Sequence, residues 1–278
     1  MLSSLTLCCT LLLGGNPAVA STFQQAAPAP VDGKLTRSAN QAQAVVLIHG
    51  FYFHLRDKSV PNAELRPWQK ADGPLVKELA KHADVFVFAY GQNASIETIV
   101  KESKLQDSIA QLRKLGYTEI VLLGHSAGGL IARQFVEDHP DAGVTKVLQV
   151  CAPNGGSPLA LLRGHKSQKV FLDCLSEGGR QECLKLRADK RIPQNVQFVC
   201  VVARGDGKNG TDGIVPCVSQ WTEDLHKQGI PAVGVLGNHR EVVRDGKIAE
   251  TLAVMLREKH LRWTPERVDM AKKEIFGK

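Results

Sequence analysis

The sequence predicts an α/β fold built on a doubly wound, mostly parallel sheet of about six strands. Short β-branched runs recur along the chain, stretches with helical periodicity lie between them, and most of the runs are continuously apolar. Continuous apolar runs are typical of parallel strands covered on both faces, and strands that alternate with helices form βαβ units. We therefore expect a single α/β domain over residues 42–278.

Six apolar runs are the predicted strands, at Ala44–Ile48, Asp84–Ala89, Glu119–Leu123, Lys146–Val150, Val196–Ala203 and Ala232–Leu236. The helical stretches between them include one whose face carries Leu105, Ile109 and Leu112. Gly116 follows it as a C-terminal stop. Residues 154–191 interrupt the alternation, and their separate apolar pieces predict two or three short helices inserted after the fourth strand.

The N-terminal segment differs from the rest of the chain. Leu2 to Gly15 is uncharged and mostly apolar, and Ala18-Val19-Ala20 has the small-x-small pattern that a signal peptidase cleaves. The apolar run is shorter than the roughly 20 residues that a membrane-spanning helix needs. We therefore expect residues 1–20 to be a signal peptide cleaved after Ala20, and the protein to be secreted or periplasmic without stable membrane insertion. Residues 21–41, rich in Ala, Gln, Pro and Ser, are expected to form a flexible lead-in.

Composition excludes some classes of protein. With 43% hydrophobic and 23% charged residues, the chain can bury a sizeable core, so disorder is excluded as its main state. The net charge of +7 comes from Lys and Arg residues scattered over predicted helices rather than clustered with aromatic residues. A nucleic-acid partner is therefore not expected.

Five cysteines follow the predicted signal peptide, at positions 151, 174, 183, 200 and 217. In an oxidising compartment, disulfide pairs are expected. The spacing of Cys174 and Cys183 suits a bridge across a short helical hairpin, and Cys200 with Cys217 is a second candidate pair. No spacing resembles a zinc site, and neither a metal nor an organic cofactor is expected.

The most informative segment surrounds Ser126. The motif Gly-His-Ser-Ala-Gly at residues 124–128 follows the apolar run Ile120–Leu123 and precedes an amphipathic helix. This is G-x-S-x-G in the strand-turn-helix context that positions a nucleophile. The turn needs glycine where strand and helix approach each other, and it places the hydroxyl beside a helix N-terminus that favours developing negative charge. Ser126 is therefore the predicted nucleophile.

Acyl transfer also needs two hydrogen-bond donors for the carbonyl oxygen as it becomes an oxyanion. One predicted donor is the backbone amide of Ala127, directly after the nucleophile. The other is the amide of Phe51, because the first core strand ends in His49-Gly50 and the glycine allows a close approach. His49 itself is expected to brace this loop.

The general base is expected after the last strand. His239 follows that strand directly and is the predicted base, whereas His226 and His260 are interpreted as surface residues. The acid that orients the base is expected beyond the fifth predicted strand, where Asp206 and Asp212 both qualify. Asp212 is favoured because the apolar residues that follow it would anchor its loop, whereas Asp206 lies in a Gly-rich loop.

The order Ser126, Asp212, His239 and the strand contexts resemble the α/β-hydrolase superfamily, in particular bacterial triacylglycerol lipases and esterases and related PGAP-like or palmitoyl-thioesterase-like hydrolases. The resemblance spans about residues 43–257. It is carried by the motifs His-Gly-Phe at 49–51, Gly-His-Ser-Ala-Gly at 124–128, Ala-Pro-Asn-Gly-Gly-Ser-Pro-Leu-Ala at 152–160 and Asp-Gly-Ile-Val-Pro at 212–216. It implies a minimal, six-stranded version of the fold, because the lead-in is too short for the first two strands of the full version, with a small lid at 154–191.

Residues and resemblance together predict a secreted serine hydrolase that cleaves carboxylic esters of a small molecule or lipid through an acyl-enzyme. A thioesterase, an amidase or an acyltransferase would use the same three residues. A non-catalytic binding module on this scaffold is less favoured, because such proteins often lose the serine or the histidine. The sequence predicts neither the natural ester nor the oligomeric state.

Overall fold

The computed structural model describes residues 19–160, 164–207 and 210–277. The predicted signal peptide falls, up to residue 18, outside the described residues. Seven strands are described: β1 Ser21–Ala27, β2 Gln43–Ile48, β3 Asp84–Tyr90, β4 Glu119–His125, β5 Val144–Val150, β6 Gln197–Ala203 and β7 Ala232–Val235. They form one sheet in the order β1-β3-β2-β4-β5-β6-β7. β2 to β7 are parallel and β1 pairs antiparallel with β3, which confirms the predicted fold class.

All six predicted strands are present, with ends within two residues of those expected. The seventh strand corrects the prediction, because β1 lies in the segment expected to be a flexible lead-in and adds one strand to the sheet. Its sequence lacks a continuous apolar run, and most of its side chains are only half-buried at the sheet edge. Gln25 ties the segment down, since its amide group donates to the carbonyl of Thr36 and accepts from the amide of Thr36, both at 2.8 Å.

The described α-helices are α1 Pro74–Leu79, α2 Ile96–Glu102, α3 Leu105–Lys114, α4 Ala127–Asp138, α5 Lys169–Asp173, α6 Glu177–Leu186, α7 Cys217–Gln220, α8 Glu223–Lys227, α9 Gly246–Arg257 and α10 Pro265–Phe276. Short 3-10 turns lie at Asp57–Ser59, Pro67–Gln69, Lys166–Gln168 and Glu241–Val243. The helices cover both faces of the sheet. Val45 of β2 belongs to the core with α1 and α9, whereas Val46 belongs to the core with α2, α3, α4 and α10. Successive strand residues therefore point to opposite, fully covered faces.

The insertion after β5 contains a 3-10 turn followed by α5 and α6, so the predicted small helical insertion is confirmed. Asn154, at its start, is fully buried. Its side-chain amide donates to Gln149 Oε1 and to the Gln220 carbonyl, both at 2.8 Å. Its own carbonyl accepts from Arg180 Nε of α6 at 3.1 Å. These bonds anchor the insertion to the sheet and to α7.

The expected disulfides are absent from the structure, in which all five described cysteines are free thiols. Cys183 Sγ accepts hydrogen bonds from Arg180 Nη1 and from Gln134 Nε2, both at 3.2 Å, rather than bonding to Cys174. Cys200 and Cys217 are buried and donate to separate acceptors, Gln149 Oε1 at 3.4 Å and the Ala203 carbonyl at 3.5 Å. Sequence spacing indicated proximity along the chain, but it carried no information on the direction in which each thiol points.

Within the described ranges, no helix combines the length and the apolar character that crossing a bilayer would require.

Candidate active site

Ser126 occupies the sharp turn between β4 and α4. Its backbone has φ 56° and ψ −126°, a conformation that L residues rarely adopt. The turn is fixed on both sides, because the Ser126 amide donates to the Val150 carbonyl at 2.8 Å and its carbonyl accepts from the Gly129 amide at 2.9 Å. At Gly128 a Cβ would lie 2.3 Å from the Ile48 carbonyl oxygen. The glycine of the motif is thus required by the approach of α4 to β2.

The end of β2 passes directly beside Ser126. A Cβ on Gly50 would lie 2.4 Å from Ser126 Cβ, so only glycine fits there. Gly50 and Tyr52 are both bound to Gln92, through the Gly50 carbonyl at 2.9 Å and the Tyr52 amide at 3.1 Å. The Phe51 amide between them has no acceptor among the described residues. The Ala127 amide, at the first position of α4, has no intrahelical acceptor either.

Two buried glutamines that sequence reasoning missed hold this loop. Gln92 is 1% exposed and Gln168 is fully buried. Gln168 Nε2, from the insertion, donates to the Tyr52 carbonyl at 2.8 Å and to Gln92 Oε1 at 3.1 Å. His49 braces the same loop, because its ring stacks on Tyr90 at 4.4 Å and its Nδ1 lies 2.8 Å from the Gly50 carbonyl. No sequence signal marks the glutamines, since polar residues in loops are common and their burial depends on distant segments.

The structure brings His239 to Asp212. His239 Nδ1 lies 2.6 Å from Asp212 Oδ2, and the His239 amide donates to the Asp212 carbonyl at 2.9 Å. Asp212 is 1% exposed, and its Oδ1 accepts from the amides of Ile214 at 2.9 Å and Val215 at 2.7 Å. Burial opposes ionisation of this carboxyl, but the hydrogen bonds outweigh it and hold the pKa of Asp212 below its usual value.

His125, the residue before Ser126, contacts His239 from the other side. Its Nε2 lies 2.7 Å from the His239 carbonyl, and the two rings are 4.8 Å apart. Because burial lowers the pKa of His125 to about 3, the ring is neutral and Nε2 carries the proton that it donates to this carbonyl. His125 therefore fixes the backbone of His239, a role that its place in the motif did not predict.

The donor atoms of His125, Cys151 and His239 lie within 4.8 Å of one another, close enough to share a metal ion. Each of them has another explanation. His239 Nδ1 is bonded to Asp212 and His125 Nε2 to a backbone carbonyl. Burial raises the pKa of the Cys151 thiol well above its usual value, which disfavours the thiolate that binds metal. The cluster is therefore better explained as the packing around His239 than as a metal site.

Ser126, His239 and Phe51 line one cleft of about 1000 Å³ at the carboxyl edge of the sheet, and Asp212 lies behind His239. The hydroxyl of Ser126 lies beside Gly50, where an added Cβ would be 2.9 Å from Ser126 Oγ. The remaining walls are mostly apolar and include Trp68, Leu159, Ala160, Leu172, Leu175, Val215 and Val243. The two other histidines considered as bases are partly buried rather than on the surface: His226 packs on Trp221 at 4.2 Å, and His260 Nε2 lies 2.8 Å from the Met255 carbonyl.

Known proteins with a similar sequence or structure were found by comparison. The family model described as alpha/beta hydrolase fold matches residues 43–154. The mature lipase BlEst2 of Bacillus licheniformis has a similar structure, with TM-score 0.63, 14% identity and coverage of 87% of this chain and 99% of that one. The phospholipase PlaB of Legionella pneumophila is similar with TM-score 0.59, 14% identity and coverage of 84% and 61%. The metagenomic carboxyl esterase MGS0156 gives TM-score 0.52, 16% identity and coverage of 82% and 79%.

At these identities the likeness is one of fold. A search of curated protein sequences finds no match. The described chain therefore has the α/β-hydrolase fold.

Proposed function

We propose that this chain, which has the α/β-hydrolase fold, is an exported serine hydrolase that cleaves carboxylic esters through an acyl-enzyme. The observation that carries the proposal is the 2.6 Å contact of His239 Nδ1 with the buried Asp212, in the cleft that Ser126 also lines. Because Nδ1 is engaged by the carboxylate, Nε2 is the nitrogen left to exchange a proton with a hydroxyl.

In the proposed reaction, Ser126 Oγ attacks the acyl carbon of the ester while His239 takes the serine proton. The amides of Phe51 and Ala127 donate to the oxyanion that develops on the carbonyl oxygen. His239 then returns the proton to the departing alcohol, and the ester's acyl group stays on Ser126. Water then attacks the acyl carbon and loses a proton to His239, which gives that proton to Ser126 Oγ as the bond to the acyl group breaks and the acid is released. Asp212 remains ionised throughout and stabilises the imidazolium form of His239.

The apolar walls of the cleft support an ester with an apolar acyl group. A cavity of about 1000 Å³ lies at the upper end of the sizes typical of ligand sites, so the substrate is expected to be a small molecule or a single lipid. The similar folds of a lipase, a phospholipase and a carboxyl esterase support ester cleavage rather than another acyl transfer. The proposal also includes export, which the apolar N-terminal segment favours, and a mature N-terminus at Ser21 would test it.

The test compares an ester, a thioester and an amide that share one butanoyl group. We expect the ester to be hydrolysed fastest, and Ser126→Ala to lower kcat for it by at least about a thousandfold, because this change removes the nucleophile. Thr251→Ala is the matched control, since that hydroxyl bonds the Lys247 carbonyl on α9, outside the cleft. Full activity in Ser126→Ala would refute the proposal, and a preference for the thioester or the amide would replace the ester assignment.

A further inference from the structure

The cleft has two unlike walls, which come from opposite faces of the sheet. Ala160 and Leu175 of the insertion belong to the core that contains α4. Trp68 and Val243 belong to the core that contains α1 and α9. The wall on the insertion side, which we call the acyl wall, is apolar: its lining residues are Leu159, Ala160, Leu172 and Leu175.

The charged residues that line the cleft all lie on the opposite wall, in the segments 64–68 and 240–244. They are Glu64, Arg66, Arg240 and Arg244, three guanidinium groups against one carboxylate. Arg66 is already engaged, because it contacts Glu64 at 3.4 Å and its guanidinium stacks on the Tyr52 ring at 3.6 Å. His125 adds no charge, because its pKa is lowered to about 3. The excess positive charge therefore resides on Arg240 and Arg244.

Arg240 and Arg244 have exposed side chains that make no ion pair or hydrogen bond within the described part of the chain. The carboxylates beside them in the sequence are occupied by backbone amides. Glu241 accepts from the amide of Asn238 at 3.0 Å, and Asp245 caps α9 by accepting from the amides of its first turn. Two guanidinium groups at a largely apolar cleft are thus available to bind an anionic group of a ligand.

Arg240 and Arg244 lie on the side of the cleft at which the alcohol part of an ester would bind. Arg240 follows His239 directly, and Arg244 lies one turn further on, across the 3-10 turn Glu241–Val243. The side chain of Asn238 fixes this turn by accepting from the amides of Arg240 and Glu241, both at 3.0 Å. In the proposed reaction His239 protonates the departing alcohol, so the alcohol part of the ester must lie on the His239 side of the cleft.

We propose that the substrate is an ester whose alcohol part carries a phosphate or carboxylate group, which Arg240 and Arg244 bind, while its acyl chain lies on the acyl wall. This inference rests on the proposed ester hydrolysis. Guanidinium groups suit both anions, because their planar, paired N–H donors match two oxygens of a phosphate or a carboxylate. Such a charge would also steer the substrate into the cleft with its alcohol part towards the base.

The test measures kcat/KM for two butanoate esters, those of 3-hydroxybenzoate and of 3-hydroxybenzamide, which differ in charge but little in shape. Dihexanoyl phosphatidylglycerol below its micelle concentration, compared with neutral dihexanoylglycerol, tests a lipid phosphate in the same way. The test variant carries Arg240→Gln and Arg244→Gln together. The control variant is Lys114→Gln, which removes a positive charge from the exposed face of α3, away from the cleft. Comparison of each variant with the wild type removes the intrinsic reactivities of the esters.

We expect the double arginine variant to lower kcat/KM for an anionic ester by about fivefold or more, and to leave the neutral esters within about twofold. Lys114→Gln should change neither, and salt should weaken the wild-type preference. A loss confined to the phosphatidylglycerol supports the inference and identifies a lipid headgroup, and a loss confined to the benzoate ester identifies a small acid. Equal losses on charged and neutral esters, or none, would overturn it. Failure of the wild type to cleave any of these esters, charged or neutral, would instead refute the proposed function.

Discussion

Asp212 is the residue at which burial and hydrogen bonding act in opposite directions. A carboxyl group that is 1% exposed loses hydration, which favours the neutral form. His239 and the amides of Val215 and Ile214 nevertheless hold its pKa below the usual value. In the proposed reaction, an ionised Asp212 keeps the proton of His239 on Nδ1 and thereby leaves Nε2 able to accept one from Ser126. We therefore propose that Asp212 orients the base.

Asp212→Asn removes that charge and makes the wrong tautomer of His239 accessible. We expect kcat for a butanoate ester to fall by about a thousandfold or more. Asp206→Asn, the alternative that the sequence left open, should change kcat less than about fivefold, because His239 is bonded to Asp212. Steady-state kinetics of the two variants, with circular dichroism to verify folding, distinguish the two assignments. A larger loss in Asp206→Asn would reverse the assignment.

At the scale of elements, the loop after β2 is held by the insertion. Gln168, in the 3-10 turn before α5, donates to the Tyr52 carbonyl and to Gln92, which in turn binds Gly50. The insertion therefore does more than form a wall of the cleft, because its packing sets the position of the Phe51 amide. In the proposed reaction the Phe51 amide is an oxyanion donor, and a preorganised donor of this kind acts on the transition state rather than on the bound ester.

Gln168→Met keeps the length of the side chain but removes both hydrogen bonds of Nε2, together with the local bond that Oε1 accepts from the His165 amide at 3.3 Å. We expect kcat to fall by about tenfold with KM changed less than twofold, because the oxyanion donor is displaced while the apolar walls remain. Gln111→Met, on the exposed face of α3, is the matched control. An unchanged kcat in Gln168→Met, with the fold intact, would separate the insertion from catalysis.

For the whole molecule, the sequence predicted the strands and turns that a local pattern of residues encodes. Continuous apolar runs predicted β2 to β7, and the glycine spacing around Ser126 predicted the turn between β4 and α4. β1 escaped prediction because an edge strand needs no apolar run, and its stability comes from pairing with β3. The contacts of Gln92, Gln168 and His125 escaped it because each joins segments far apart in the chain, which no local pattern encodes.

The pH dependence of stability is a second property of the whole molecule. Burial lowers the pKa of His49 and of His125 to about 3, whereas each has a pKa near 6.5 in the unfolded chain. Below pH 6.5 the unfolded chain therefore takes up protons that the folded protein does not, so acidification favours unfolding. The lowered pKa of Asp212 acts in the same direction, but only below about pH 4.

We expect the free energy of unfolding to decrease by roughly 3–4 kcal/mol between pH 7 and pH 5, since each of the two histidines contributes about 1.4 kcal/mol per pH unit below its unfolded pKa. Urea unfolding at a series of pH values measures this slope. His125→Gln, where it folds, should reduce the slope by about half. A free energy of unfolding that stays constant over this range would show that the two rings take up protons in the folded state.

We propose that the Ser126 hydroxyl, at the strained turn, is a nucleophile activated by His239. The most direct measurement is reaction of the purified protein with a fluorophosphonate, followed by intact mass and peptide mapping. We expect one adduct, on Ser126, that is absent in Ser126→Ala and forms far more slowly in Asp212→Asn. A folded wild-type protein that stays unmodified, or that carries its adduct on another residue, would contradict it.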